Sequence, residues 1–248
     1  MTYAPFDLSG HVSLITGGNR GIGLGMARAL AASNANVAIW GRSSEQNEAA
    51  VETLSRLGTG TATAWTVDVS DEAAVVATMQ EVLGRYKRLD SCFANAGVGY
   101  SAPAFTELDT ETWRKNMAVN LDGAFWTMRE AVKHMVHRAH AGNPGGSIVG
   151  IASLAATEGA ARNQAYAATK GGVISMIKGI AVEHARHGIR ANAILPGWVA
   201  TEMTQGAQGS EVFQSKVISR VPARRWGEPA DFGGIAVYLA SSLSLIHI

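Results

Sequence analysis

Tyr166 and Lys170 are the residues whose types and spacing first suggest catalysis in this sequence. A separation of four places both side chains on one face of a helix, one turn apart. A free phenol has a pKa of about 10 and exchanges protons poorly at neutral pH. Lowering that pKa to roughly 7 takes about 4 kcal/mol, which one ammonium about 4 Å away supplies at an effective dielectric of about 20. The pair predicts a tyrosine acid/base; the alternative is a half-buried tyrosine beside a solvated lysine.

Two further polar residues could belong to the same site. Ser153 follows a predicted strand over 146–151, at the carboxyl end, where open parallel sheets bind ligands. Asn120 lies within a mostly apolar helix predicted over 112–135. Burying its amide is unfavourable unless the amide is hydrogen-bonded, so Asn120 is either a satisfied structural residue or a functional one.

A glycine-rich turn joins the first predicted strand, over 11–15, to a helical pattern. It reads Thr16-Gly17-Gly18-Asn19-Arg20-Gly21-Ile22-Gly23, with the spacing G-x-x-x-G-x-G. Such a turn lets the backbone approach a pyrophosphate, which then binds the free amides at the start of the helix. Glycines also serve ordinary tight turns, but the strand before and the helix after are the context that a dinucleotide site requires.

The residues after the second predicted strand, over 36–40, bear on the choice of dinucleotide. NAD-binding folds often place an acid there for the ribose 2′-hydroxyl, but this sequence has Gly41 followed by Arg42 and Ser43. A guanidinium can pair with a 2′-phosphate, and Arg20 could reach the same group. The pattern favours NADP(H), with NAD(H) possible; the alternative is that Arg42 is a solvated loop residue.

Strands and helices alternate along the chain, which predicts a parallel sheet with right-handed crossovers. Further strands are predicted over 61–67, 89–94 and 189–195, and helices over 45–57, 72–84, 163–187 and 229–240. Asp68 and Val69 end the third strand, where Asp68 is either a ligand-rim acid or the N-cap of the next helix, a role that Ser70 or Asp71 could equally fill. The segment 198–221 reads as an irregular lid. The prediction is one doubly wound Rossmann domain of class α/β.

Composition excludes several other classes of protein. The chain has 248 residues, 47% of them hydrophobic and 17% charged, with a formal net charge of +1. No basic stripe indicates nucleic acid, and no apolar run indicates a membrane span. The lone cysteine and the absence of a leader-like N-terminus favour a soluble cytoplasmic protein. His134, His137 and His140 recur every three residues, but a solvated face explains them better than a metal site, and we expect no metal.

The ordered set of motifs resembles the short-chain dehydrogenase/reductase family, near its 3-oxoacyl-(acyl-carrier-protein) reductase and glucose dehydrogenase-like members. The resemblance implies NAD(P)-dependent interconversion of a carbonyl and an alcohol. Tyr166 would be the acid/base, Lys170 would lower its pKa and bind the nicotinamide ribose, Ser153 would bind the substrate oxygen, and Asn120 would hold a relay water. The residues implied to hold the cofactor are Gly17, Asn19, Arg20, Gly21, Ile22, Gly23, Arg42, Ser43, Asp68, Val69, Asn95, Ala96, Gly97, Tyr166, Lys170, Pro196, Gly197, Val199 and Thr201.

The resemblance also implies a homotetramer or homodimer, paired through the helices that carry Asn120 and Tyr166. Gly171-Gly172 would suit close packing within the chain or against a second subunit. Family members continue past residue 242 into a last strand, whereas this chain ends in Leu243-Ser244-Leu245-Ile246-His247-Ile248. That hexapeptide is what a common sequencing adapter would encode, so we interpret 1–242 as the domain, 243–248 as a non-native tail, and the last edge strand as missing.

A non-catalytic dinucleotide-binding protein on the same fold is the alternative to an enzyme, because a fold does not determine function. An NAD(H)-dependent alcohol or sugar dehydrogenase is the alternative within the enzyme class. The substrate is a small molecule of undetermined identity, since the pocket-forming segments are mixed in character.

Overall fold

The computed structural model describes residues 4–245, and its centre is one sheet of six parallel strands. The strand order is β3-β2-β1-β4-β5-β6. Strands β1 to β3 are added towards one edge of the sheet and β4 to β6 towards the other, so the order switches between β1 and β4. This is the doubly wound order in which ligands bind outside the carboxyl ends of the central strands, and it confirms the predicted Rossmann class. The strands are β1 (Val12–Thr16), β2 (Asn36–Gly41), β3 (Ala62–Thr66), β4 (Ser91–Ala94), β5 (Gly146–Ile151) and β6 (Ile189–Ile194).

Helices cover both faces of the sheet. They are α1 (Gly21–Ala32), α2 (Ser44–Leu54), α3 (Glu72–Tyr86), α4 (Thr110–Met117), α5 (Gly123–His140), α6 (Ala155–Glu158), α7 (Gln164–His184), α8 (Gln205–Gln208), α9 (Glu211–Arg220) and α10 (Gly233–Ala240). Every residue of β1 and β4 is buried, because a strand covered on both faces needs a continuous apolar run. Two hydrophobic clusters therefore form, one on each side of the sheet.

Two predicted elements differ from the structure. The single helix predicted over 112–135 is interrupted by one π-helical turn, Ala118–Asp122, between α4 and α5. The segment 198–221, predicted to be irregular, contains α8 and α9. Ser210 caps α9 by accepting a hydrogen bond from the Phe213 amide, a local signal that the weak periodicity of this polar helix obscured.

Beyond α10 the chain makes a 3-10 turn, Ser242–Ser244, in which Ser244 is buried. Within residues 4–245, β6 is an edge of the sheet and no seventh strand pairs with it. The interpretation of 243–248 as a non-native tail stays a prediction, and residues 246–248 lie outside the described part of the chain.

Candidate active site

Ser153, Tyr166 and Lys170 meet at the carboxyl end of β5, as the sequence predicts. Ser153 follows β5, and its hydroxyl accepts a hydrogen bond from the Ala155 amide at the start of α6 (3.1 Å). Tyr166 and Lys170 lie one turn apart near the start of α7. The Tyr166 hydroxyl is hydrogen-bonded to Ser153, and Lys170 Nζ lies 5.6 Å from the centroid of the Tyr166 ring. The three side chains form one polar cluster.

Lys170 is the most deeply buried charge in this cluster, with 4% of its surface exposed. Its Nζ donates a hydrogen bond to the Ile151 carbonyl at the end of β5 (2.7 Å). Burial lowers the pKa of Lys170 from 10.5 to about 8, because an ammonium loses its hydration there. The position of this amine is therefore set by the strand end.

The pKa of Tyr166 shifts in the direction opposite to the prediction. Burial raises it, and the hydrogen bond from Ser153 opposes that rise only in part. An ammonium about 4 Å from the hydroxyl would lower this pKa, but the amine lies over the ring and bonds to Ile151. In the protein without cofactor, Tyr166 is a protonated phenol at neutral pH, which is the form that can donate a proton.

Asn120 sits in the π-helical turn between α4 and α5, and only 1% of its surface is exposed. Its Oδ1 accepts from the Val98 amide (2.7 Å), and its Nδ2 donates to the Val98 carbonyl (2.9 Å) and to Thr169 Oγ1 (3.3 Å). The amide is therefore satisfied, and it fixes the chain after β4 against α7. An added Cβ at Gly97 would lie 3.3 Å from Asn120 Oδ1 and 3.5 Å from Lys170 Nζ, so Gly97 allows close approach here.

The glycine-rich turn has the open backbone that a pyrophosphate site needs. Gly17 (φ +63°) and Gly21 (φ +51°) adopt left-handed conformations, which favour glycine. A Cβ at Gly23 would lie 2.1 Å from the Gly17 carbonyl oxygen. The N-cap of α1, Arg20, makes no side-chain hydrogen bond to the helix amides. The first amides of a helix, which here include that of Ile22, lack an acceptor within the helix, so a helix start of this kind can bind an anion.

Hydrogen bonds join the end of β4 to the end of β1 through Thr16, Asn95 and Ala96. The amides of Asn95 and Ala96 donate to Thr16 Oγ1 (3.0 and 2.9 Å). Asn95 Nδ2 donates to the carbonyls of Thr16 and Gly17 (2.9 and 3.2 Å). The structure thus shows Asn95 shaping the turn through its side chain.

The polar residues of the turn and of the β2 end have specific partners. Asn19 Nδ2 donates to Asn47 Oδ1 (2.8 Å), so its amide faces inward. Arg20 pairs with Glu202 in the segment after β6 and not with the β2 end. Arg42 is exposed, and Ser43 caps α2 by accepting from the Gln46 amide (3.3 Å).

Asp68 and Val69 lie after β3, close to Arg42. Burial favours a higher pKa for Asp68, but hydrogen bonds from the hydroxyl and amide of Ser70 outweigh it, and Arg42 adds to the lowering. The N-cap of α3 is Asp71, which accepts from the Ala74 amide (3.1 Å), so the N-cap alternative for Asp68 is wrong. The Asp68 carboxylate remains at the ligand rim.

The segment from Pro196 to Thr201 lies beside both halves of the crevice. The Pro196 carbonyl accepts from the Leu154 amide (3.1 Å), and a Cβ at Gly197 would lie 3.3 Å from Leu154 Cδ1. Val199 is buried and pairs with Gly227. A Cβ at Gly21 would lie 3.5 Å from Thr201 Cγ2, so Thr201 covers the glycine turn.

The three histidines do not share one solvated face. His134 Nε2 accepts from the Leu89 amide (3.2 Å), which makes it a structural residue, whereas His137 and His140 are exposed. Among residues 4–245, no group of three or more His, Cys, Asp or Glu side chains is arranged to hold a metal ion. In the same range, no helix is both long and apolar enough to cross a membrane.

Sequence reasoning missed three contributors to the site: Asn47, Thr169 and Glu202. Asn47 and Thr169 are buried, and both hydrogen-bond to predicted site residues. Asn47 lies on the buried face of α2 together with Ala50 and Leu54, and an asparagine on such a face is a signal that could have found it. The sequence carries no signal for the contact between Glu202 and Arg20, because 182 positions separate them.

Comparison with known proteins agrees with this geometry. A family model described as enoyl-(acyl carrier protein) reductase matches residues 17–246. The 3-oxoacyl-(acyl-carrier-protein) reductase of Chlamydia pneumoniae is 32% identical over 237 residues, which cover 96% of this chain and 92% of the relative. Gluconate 5-dehydrogenase of Gluconobacter oxydans strain 621H is 34% identical over 239 residues, which cover 96% and 91%.

A solved structure gives the same result for the fold. The crystal structure of a gluconate 5-dehydrogenase from Burkholderia cenocepacia J2315, in complex with NADP and tartrate, matches with a TM-score of 0.90 and 34% identity. The match covers 98% of this chain and 92% of that one. The chain belongs to the short-chain dehydrogenase/reductase family. It is therefore an oxidoreductase of the class that acts on CH–OH groups.

Proposed function

We propose that this chain is an NADP(H)-dependent oxidoreductase that interconverts a ketone or aldehyde with a secondary or primary alcohol, with Tyr166 as the acid/base. The observation that carries the proposal is the cluster after β5, where the Tyr166 hydroxyl bonds to Ser153 beside the buried amine of Lys170. Bound NADP(H) supplies the hydride chemistry. The residues of this chain bind, orient and exchange the proton.

Each side chain of the cluster has a distinct role in this proposal. Ser153 donates a hydrogen bond to the substrate oxygen and holds it beside Tyr166. Tyr166 gives its proton to that oxygen in reduction and takes one back in oxidation. Lys170 stabilises the phenolate formed in between, because its charge is least solvated, and so most effective, in this buried position. Asn120 holds α7 and the end of β4 in register, and in this proposal it also holds a relay water.

The residues around the crevice fit a dinucleotide. The open turn at Gly17, Gly21 and Gly23 would hold a pyrophosphate, since side chains there would fill the cradle. Asp68-Val69 and Asn95 to Gly97 would hold the adenosine side, and the segment from Pro196 to Thr201 would cover the nicotinamide. Tyr166 and Lys170 would also contact the nicotinamide ribose.

The preference for NADP(H) rests on the end of β2. No carboxylate occupies position 41, and the exposed guanidinium of Arg42 lies near Asp68 at the rim. The related gluconate 5-dehydrogenase crystallised with NADP supports the same choice. One observation favours NAD(H) as the second candidate: Arg20 already pairs with Glu202, so of the two cations only Arg42 is left for a 2′-phosphate.

Replacing Tyr166 tests the function. Tyr166→Phe should lower kcat by about 10²–10⁴-fold, since only the proton-transferring hydroxyl is lost. The Kd for NADPH, measured by fluorescence titration, should change little. Tyr86→Phe is the matched control: its hydroxyl bonds to Thr63 at the far edge of the sheet (3.0 Å), so turnover should be preserved. Full activity in Tyr166→Phe on a panel of ketones, aldehydes and polyols would refute the role.

We also propose that the protein is a cytoplasmic homo-oligomer, a tetramer or a dimer, paired through α5 and α7. Support comes from the outer face of α7, where Cβ atoms at Gly171 and Gly179 would meet nothing within 4 Å. Gly172, in contrast, packs within the chain, since a Cβ there would lie 2.9 Å from Leu121 Cδ1. The cytoplasmic location rests on the single, buried Cys92.

A further inference from the structure

Asn47 is a buried amide that links three separate parts of the cofactor side of the sheet. Only 3% of its surface is exposed. Its Oδ1 accepts from Asn19 Nδ2 in the glycine turn (2.8 Å). Its Nδ2 donates to the carbonyls of Gly41 at the end of β2 (3.1 Å) and Trp65 in β3 (3.2 Å). One side chain thus connects the glycine turn with the ends of two strands.

The pairing of Asn19 and Asn47 also explains the glycine at position 41. A Cβ there would lie 2.2 Å from Asn19 Nδ2 and 2.4 Å from Asn47 Oδ1. These atoms are bonded to each other, and the Asn47 amide is also bonded to the Gly41 carbonyl, so they cannot move aside without breaking bonds. The amide pair therefore excludes any side chain, acids included, from the position where dinucleotide folds often carry their ribose-binding acid.

The two cations expected at the ribose are each next in sequence to a residue that Asn47 holds. Arg20 follows Asn19, and Arg42 follows Gly41. Holding the side chain of Asn19 and the carbonyl of Gly41 therefore restrains the chain where both guanidinium side chains begin. Without the amide, the glycine turn and the β2 end lose their direct side-chain link.

We propose that Asn47 is a positioning residue for recognition of the cofactor's ribose 2′ end. It acts through Asn19 and Gly41: it keeps position 41 free of a side chain and sets the placement of Arg42 and Arg20. The inference rests on the proposed NADP(H)-dependent function. Its distinguishing consequence is that loss of Asn47 affects discrimination between NADPH and NADH and leaves the chemical step unchanged.

Asn47→Ala, with NADPH and NADH titrated separately, tests the proposal. We expect the Kd and KM for NADPH to rise by about tenfold, the values for NADH to rise much less, and kcat at saturating NADPH to stay within about twofold. A purely structural role would instead weaken both cofactors equally or lower kcat. Arg42→Ala should produce the same selective loss, because it removes the group that Asn47 positions.

Two further variants distinguish a change in cofactor recognition from a loss of stability. Ser91→Ala removes a buried hydrogen bond to Ser13 (2.7 Å) within the sheet and away from the crevice, so it should lower Tm without changing the cofactor ratio. If Asn47→Ala does not fold, Asn19→Ala breaks the same bond from the side of the glycine turn and should shift the ratio in the same direction. An unchanged NADPH/NADH ratio in the variant that folds overturns the inference. Wild-type protein that binds neither cofactor would instead refute the proposed function.

Discussion

At the scale of single residues, burial changes the pKa values of the catalytic cluster more than charge pairing does. The spacing of Tyr166 and Lys170 predicts their proximity, but it cannot predict how deep they lie. Desolvation raises the pKa of Tyr166 and lowers that of Lys170 to about 8, because burial disfavours the charged form of each group; at pH 7 the phenol is neutral and the amine is still mostly charged. The attraction between phenolate and ammonium exists only once both charges have formed. Ionising either of these buried groups is therefore unfavourable.

Lys170→Met should stabilise the fold while it abolishes catalysis. A shift from 10.5 to about 8 corresponds to about 3 kcal/mol of penalty for the charged amine, and methionine has similar bulk without charge. We expect the free energy of unfolding at pH 7 to rise by about 1–3 kcal/mol, after the lost bond to Ile151 is included. Urea denaturation and steady-state kinetics on the same sample measure both effects.

The stability difference between wild type and Lys170→Met depends on pH. Between pH 8 and 10.5 the unfolded chain binds more protons at Lys170 than the folded chain does, so wild-type stability gains relative to Lys170→Met as pH rises. The difference between the two proteins should be greatest below pH 8 and small near pH 10.5. A constant difference across that range, or a less stable variant, would contradict the assignment of a desolvated amine.

At the scale of elements, the crevice is bounded by the glycine turn on one side and by the segment after β6 on the other. Arg20 pairs with Glu202, and Thr201 covers Gly21. Both ionised side chains of the pair are at least half exposed, so the pair contributes little to stability. The pair instead affects cofactor binding, because a guanidinium bonded to Glu202 is not available for a 2′-phosphate.

Glu202→Gln should tighten NADPH binding without changing NADH binding. Releasing Arg20 from an exposed carboxylate should lower the Kd for NADPH by up to about fivefold. The gain should shrink as salt is added, since exposed charges are screened. Glu211→Gln, at the exposed start of α9, removes a carboxylate elsewhere in the same segment and should leave both affinities unchanged. Equal affinities in Glu202→Gln and wild type at low salt would argue against the competition.

Elements differ in how much of them the sequence could reveal. The alternation of short apolar runs with helical spacing predicts β1 to β6 and the long helices to within a few residues. The π turn at 118–122 was not foreseen, since an extra residue per turn changes hydrogen-bond partners without changing residue preferences. Asn47 and Glu202 were missed because their roles depend on contacts between distant parts of the chain.

At the scale of the whole molecule, the outer face of α7 is largely exposed and packs against no other element in the described part of the chain. Gly171, Ser175, Gly179 and Val182 share one helical face, and Val182 is 84% exposed. On α5, Phe125 is also exposed. Apolar and small residues on two neighbouring helices are what a close helix–helix interface between subunits would use.

Val182→Asp should weaken assembly of the proposed oligomer. A carboxylate buried at such an interface would lack a partner, so light scattering after size exclusion should show mass shifting towards the 26.0 kDa of one chain. Val212→Asp, at a 65% exposed position on α9, is the matched control and should not change the mass. Wild-type protein that already elutes as a single 26.0 kDa species would refute the proposed assembly.

All of the proposed chemistry lies on one rim of the sheet, where the parallel strands terminate. The turn 141–145 precedes β5 and so occupies the opposite rim, roughly 20 Å away along a six-residue strand. Ala141 and Asn143 there are exposed, whereas the positive φ of Gly142 and Gly145 would strain any side chain placed at those two positions. That turn is consequently a suitable attachment point for a dye, an affinity handle or a solid support, because a group fixed there leaves the entrance for reactants open.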